Sequence, residues 1–248
     1  MAEQELKNRV AVITGAGRSI GRAIALELAS AGCAVVVNVR KNRAESEEVV
    51  KAIEGQGGRG LVAIADVTDA PAVNAMAQAA LKKFGRIDYL INNAALRQEK
   101  HIEEMTFEDW RYITGVILDG AFHCVKACLE AIKASDAGSI INVGGLSGTL
   151  GASDRAHVVT AKAGIAGFTR ALARELAPHK ITVNTLVPAM LAKPGKPNEM
   201  PDHPIYRPVL GRAALPGDMA PAVRFLLGPG ARYMTGQTIN INGGTYFG

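Results

Sequence analysis

Val12-Ile13-Thr14-Gly15-Ala16-Gly17-Arg18-Ser19-Ile20-Gly21 is the stretch from which the fold can be read. The apolar run Val10 to Ile13 reads as a strand buried on both faces, as in a parallel sheet. A glycine-rich turn follows. Arg22 to Ala29 then shows the apolar spacing of a helix. Strand, glycine turn and helix N-terminus together make an anion site. Free backbone N–H groups and the positive end of the helix dipole suit a pyrophosphate. Gly15 permits the tight turn, and Gly21 permits close packing of helix on sheet.

Working outward, apolar segments alternate with amphipathic ones along all 248 residues. Strands are expected near 9–14, 33–39, 60–65, 87–92, 138–144, 180–187 and 237–242. Helices are expected near 20–31, 43–56, 71–84, 106–133, 155–178 and 218–227. This alternation predicts an α/β fold, a single doubly wound parallel sheet with helices on both faces. No linker or repeat interrupts it, so residues 1–248 are expected to form one domain. The Pro- and Gly-rich stretch 189–216 is expected to be a lid or substrate wall beyond the strand ends.

Composition narrows the function. Hydrophobic residues make up 48% of the chain, enough for a full core, and the net charge is only +5. No long Lys/Arg run occurs, which argues against a nucleic-acid partner. Three cysteines, Cys33, Cys124 and Cys128, lie in apolar segments and read as reduced core residues of a cytoplasmic protein. Cys124 and Cys128 share a helical face without the His or acid cluster of a metal site. The opening Met1-Ala2-Glu3-Gln4-Glu5 does not read as a signal peptide, and no apolar run reaches membrane-spanning length.

The end of the second strand bears on cofactor choice. An acid there would bond a ribose 2′-hydroxyl and repel a phosphate. The sequence instead has Val39-Arg40-Lys41, with Arg18 in the glycine turn. Two guanidinium groups suit a 2′-phosphate, which favours NADP(H) over NAD(H). The plainer alternative is that Arg40 and Lys41 form a solvated strand end.

Four landmarks in order, Thr14-Gly15-x3-Ser19-x-Gly21, Asp66-Val67, Asn92-Asn93-Ala94 and Thr235-Gly236-Gln237-x4-Asn242-Gly243-Gly244, resemble the short-chain dehydrogenase/reductase family over nearly the whole chain. The resemblance implies a Rossmann-type sheet, a nicotinamide dinucleotide and a homotetramer or dimer. It implies that Gly15, Arg18, Ser19, Ile20, Gly21 and Arg40 hold the cofactor's phosphates, with Asp66 and Val67 beside the adenine. Asn92, Ala94, Pro188 and Lys162 would line the rest of the cofactor cleft. Ser19 stands where the family has its middle glycine, and Ala95 where it prefers Gly.

The catalytic end departs further. The family uses an Asn, a Ser, a Tyr and a Lys, with Tyr and Lys four apart on one helical face. The ammonium then lies near the phenol and lowers its pKa. Lys162 is retained, but Ile117, Gly145 and Val158 occupy the other three positions, and Lys193 takes that of a cofactor-binding Thr. Losing a general acid alone slows a reaction by ~10²–10⁴. The sequence therefore leads to an expectation that the standard carbonyl and alcohol chemistry is lost or replaced. The alternatives are a non-catalytic subunit, such as a silent partner in a hetero-oligomer with an active relative, and a lyase or hydratase on the same scaffold. Ser147, His101 and His157 are the nearest substitutes, each read first as structural. Lys193, Lys196, Arg207 and Arg212 are open either to an acidic substrate or carrier or to solvent.

Overall fold

In the computed structural model, residues 4–193, 195–196, 199–202 and 204–248 are described. Met1–Glu3 and four positions of the 189–216 loop (Pro194, Pro197, Asn198 and His203) lie outside them. Seven strands form one parallel sheet: β1 Val10–Ile13, β2 Ala34–Val39, β3 Gly60–Ile64, β4 Tyr89–Asn92, β5 Ser139–Val143, β6 Thr182–Pro188 and β7 Thr238–Ile241. Their order is β3-β2-β1-β4-β5-β6-β7, with every pairing parallel. The central strands β1, β2, β4 and β5 are buried at every position. This matches their continuous apolar runs, since helices cover both faces.

The helices are α1 Ser19–Ser30, α2 Arg43–Gly55, α3 Ala70–Phe84, α4 Phe107–Thr114, α5 Gly120–Lys133, α6 Ser147–Leu150, α7 Ala156–Leu176 and α8 Ala220–Leu227. Local sequence fixes several ends. Asp69 caps α3 by accepting a bond from the Ala72 N–H at 3.1 Å, and Gly85 closes it in the left-handed region at φ +80°. Thr106 and Asp109 form a reciprocal capping box at the start of α4.

Two features correct the sequence expectation. The stretch 106–133 is not one regular helix, because Gly115–Asp119 forms a π turn between α4 and α5. The four-residue α6 was not foreseen; it is too short to show a period, and it packs on α7. The sheet divides two large apolar layers, one under α1 and α8, the other under α3, α5 and α7. The chain reverses winding between β1 and β4, and the turns after those strands, at Gly15 and Ala94, face each other there. That is the place where ligands bind in doubly wound sheets.

Candidate active site

A cleft of about 810 Å³ opens over the carboxyl ends of the strands. At its floor lies the glycine turn. Gly15 takes φ +63°, and a Cβ on Gly21 would stand 2.4 Å from the Gly15 carbonyl oxygen. Arg18, the residue before α1, has extended backbone and makes no side-chain cap, so the first-turn N–H groups of α1 remain open to an anion. Ser19 opens α1 at φ +49°, in the region the family's glycine would favour. Asn93 holds the turn from the next strand over. Its amide donates to the carbonyls of Thr14 at 2.9 Å and Gly15 at 3.0 Å.

Beyond the turn, the cleft wall carries Arg18, Arg40, Lys41 and Asn42. Arg40 donates to the Tyr112 hydroxyl at 2.6 Å. Asp66 and Val67 follow, the Asp66 carboxylate accepting bonds from the backbone and hydroxyl of Thr68 at 3.0 and 2.8 Å. The open helix start, the close-packed glycines and the two arginines on the wall fit a phosphorylated dinucleotide. Gly15, Arg18, Ser19, Ile20, Gly21 and Arg40 all line this cleft.

The opposite end is built on β5, α6 and α7. The Lys162 ammonium donates to the Val143 carbonyl at 2.7 Å, and burial pushes its pKa down to about 8. Gly145 gives its stem room, since a Cβ there would lie 3.3 Å from Lys162 Cγ. Val158, Ala94, Pro188 and Ser147 line the same end. Met190, Leu191 and Tyr206, from the stretch 189–216, form the outer wall.

Some expected site residues fall elsewhere. Asn92 is buried behind the cleft and donates to Asn142 Oδ1 at 2.8 Å across the β4–β5 pair; its neighbour Asn93 lines the cleft instead. Ile117 faces away too, in a buried cluster with Ile113, Val158, Ala161 and Ile165, while Val116 reaches the cleft. His101 is exposed and outside the cleft lining, its Nε2 3.1 Å from an Asp154 carboxylate oxygen. His157 is fully buried outside the cleft lining with both ring nitrogens unpartnered. Lys193 turns outward to Glu199 at 2.7 Å and Asp202 at 3.4 Å. Arg212 pairs with Asp218 at 2.6 Å, Lys196 with Glu199 at 2.8 Å, and Arg207 donates to the Pro201 carbonyl at 3.1 Å. These basic side chains are thus occupied within the chain. Sequence reasoning missed Arg97, Arg155 and Tyr206, all on the cleft wall. Residues 97 and 155 belong to loops far apart in sequence, and only the fold brings them to one mouth.

The three cysteines are free and buried, and burial raises the Cys128 thiol to about 12. Among the described residues no group of His, Cys, Asp or Glu has a metal-holding arrangement. Among them, too, no helix is long and apolar enough to cross a membrane.

Comparison with known proteins places this geometry. Residues 15–246 match the family model described as Enoyl-(Acyl carrier protein) reductase. A 3-oxoacyl-[acyl-carrier-protein] reductase from Synechocystis sp. is 38% identical over 96% of this chain and 97% of its own. The 3-oxoacyl-[acyl-carrier-protein] reductase FabG of Staphylococcus aureus is 35% identical over 95% and 97%. Among solved structures, a Serratia marcescens short-chain dehydrogenase/reductase mutant superposes with a TM-score of 0.91 at 30% identity, covering 97% of this chain and 99% of that one. A blue fluorescent protein from a metagenomic library, in complex with NADPH, superposes with a TM-score of 0.89 at 27% identity, covering 98% and 100%.

These relatives overturn one expectation. The idea that carbonyl chemistry is lost or replaced, with its non-catalytic and lyase or hydratase alternatives, gives way to that of an active reductase, because relatives matching over nearly their whole length are reductases by name. The expectation rested on three positions, one of which, Ile117, is not in the cleft at all. Lys162, half-buried, lines the cleft with its ammonium pKa lowered to about 8 by burial.

Proposed function

This chain belongs to the short-chain dehydrogenase/reductase family, and on that footing we propose that it is an NADP(H)-dependent reductase that converts the carbonyl of a 3-oxoacyl compound to a hydroxyl. NADPH, when bound, supplies the hydride. The chain's own residues supply the binding surface and the proton. Gly15, Ser19, Ile20 and Gly21 hold the pyrophosphate at the α1 N-terminus. Arg18 and Arg40 bond a 2′-phosphate. Asp66 and Val67 flank the adenine, and Ala94 and Pro188 close the nicotinamide end. Lys162 is the titratable group at that end, its proton held at Nζ beside the Val143 carbonyl. With its pKa lowered to about 8, it can give that proton to the carbonyl oxygen near neutral pH. Val158 and Gly145 bring no hydroxyl between the ammonium and the cleft.

The observation that carries this reading is the presence, in one cleft, of an open helix-start turn and a half-buried lysine of lowered pKa. The stretch 189–216 acts as the substrate wall. Assembly as a homodimer or homotetramer and a cytoplasmic location belong to the same proposal. The 3-oxoacyl class comes from the names of the relatives. The test is a titration with NADPH and NADH by calorimetry, followed by a carbonyl panel including a 3-oxoacyl thioester. NADPH binding tighter than NADH, with consumption on the 3-oxoacyl member, is the expected result. Tight NADPH binding with no consumption on any carbonyl would overturn it.

A further inference from the structure

The sequence places no acid at the end of β2, but the fold brings one to that corner from α2. Glu45 lies in the first turn of α2, which begins at Arg43. Helical side chains lean toward the N-terminus, so a first-turn carboxylate reaches back over the segment that precedes its helix. Here it meets the glycine turn. A Cβ on Gly17 would stand 3.1 Å from Glu45 Oε2, 3.1 Å from Glu45 Cβ and 2.7 Å from Val39 Cγ1. The carboxylate therefore lies against the backbone of Gly17, in a corner that Val39 closes. Gly17 is the residue before Arg18, and Val39 the residue before Arg40. All five line the cleft, with Glu45 half-buried.

Nothing in the chain occupies that carboxylate. Asn42 and Glu45 have the spacing of a reciprocal cap, yet only one half forms: the Asn42 side chain accepts from the Glu45 N–H at 3.4 Å. Among the described residues the Glu45 side chain makes no hydrogen bond or ion pair, whereas Glu47 on the same helix pairs with Arg43 at 3.6 Å. An ionised carboxylate only accepts hydrogen bonds. A ribose hydroxyl can donate to it, and a phosphate adds like charge beside it.

We propose that Glu45 is a specificity-determining residue for the cofactor. Its carboxylate accepts from a hydroxyl of the adenosine ribose and opposes a 2′-phosphate, so that Arg18 and Arg40 confer only a small preference for NADPH over NADH. This rests on the reading that the two arginines face a 2′-phosphate. A Glu45 that served the α2 dipole alone would affect stability and leave cofactor choice untouched.

The test measures Kd by calorimetry for NADPH, NADH, 2′,5′-ADP and 5′-AMP in the wild type, Glu45→Gln, Glu45→Ala and Glu47→Gln. Glu47 is outside the cleft lining, so its variant makes the same change of net charge elsewhere. Both Glu45 variants should tighten NADPH and 2′,5′-ADP by about fivefold or more, with NADH and 5′-AMP unchanged or weaker. High salt should shrink that gain. Glu47→Gln should leave the NADPH-to-NADH ratio as in the wild type. A ratio unmoved in both Glu45 variants, or an equal gain in Glu47→Gln, overturns the proposal and leaves the NADP(H) reading standing. A wild type that binds neither dinucleotide overturns both.

Discussion

Ser19 shows how one residue can be visible in the sequence while its consequence is not. It stands where the family has a glycine, and the structure gives it φ +49°. A left-handed backbone costs a residue with a Cβ roughly 1–2 kcal/mol. Ser19→Gly is therefore expected to raise stability by about 1 kcal/mol while leaving NADPH affinity within a few-fold. Thermal melts with and without NADPH check this, and a lowered Tm would show that the hydroxyl matters more than the backbone. Asn92 and Asn93 mark a limit of a different kind. Both sit in the motif that signals the family, but which one faces the cleft depends on strand register. Asn92 pairs with Asn142 on β5, and the chain leaves the strand at Asn93. No local pattern in the sequence distinguishes the two.

At the scale of elements, the strands were legible because buried parallel strands are unbroken apolar runs. Helices α1, α2 and α3 were legible because apolar spacing and caps agree. The π turn was not, since Gly115-Val116-Ile117-Leu118-Asp119 continues the helical pattern and differs only in hydrogen bonding. That turn sets Val116 toward the cleft and Ile117 into the α4–α7 packing. At the basic end of β2, Arg40 lies on the cleft wall and its guanidinium bonds the Tyr112 hydroxyl. Removing a charge-assisted bond to a phosphate costs about 1.5–3 kcal/mol, or roughly 10–100-fold in affinity. Arg40→Ala is accordingly expected to weaken NADPH by that factor and to leave NADH nearly unchanged. Titration of the variant with each cofactor decides it, and parallel losses for both would assign Arg40 to the strand end alone.

At the scale of the molecule, the fold class followed from alternation, but the cleft did not. Its walls come from residues as far apart as Gly15, Arg97, Arg155 and Tyr206. Only the strand order, with its reversal between β1 and β4, brings them together. The same order places Lys162 on α7 against the end of β5, where burial lowers its pKa to about 8. Proton donation needs the ammonium, the form lost as pH rises through that value. The measurement that bears most directly on the account is kcat/KM for NADPH-dependent reduction of a 3-oxoacyl substrate from pH 6 to 10, in the wild type and in Lys162→Met. The account predicts turnover that holds below about pH 8 and falls above it, and a variant slowed by ~10²-fold or more. A rate that is flat through pH 10, or a Lys162→Met enzyme as fast as the wild type, would contradict it.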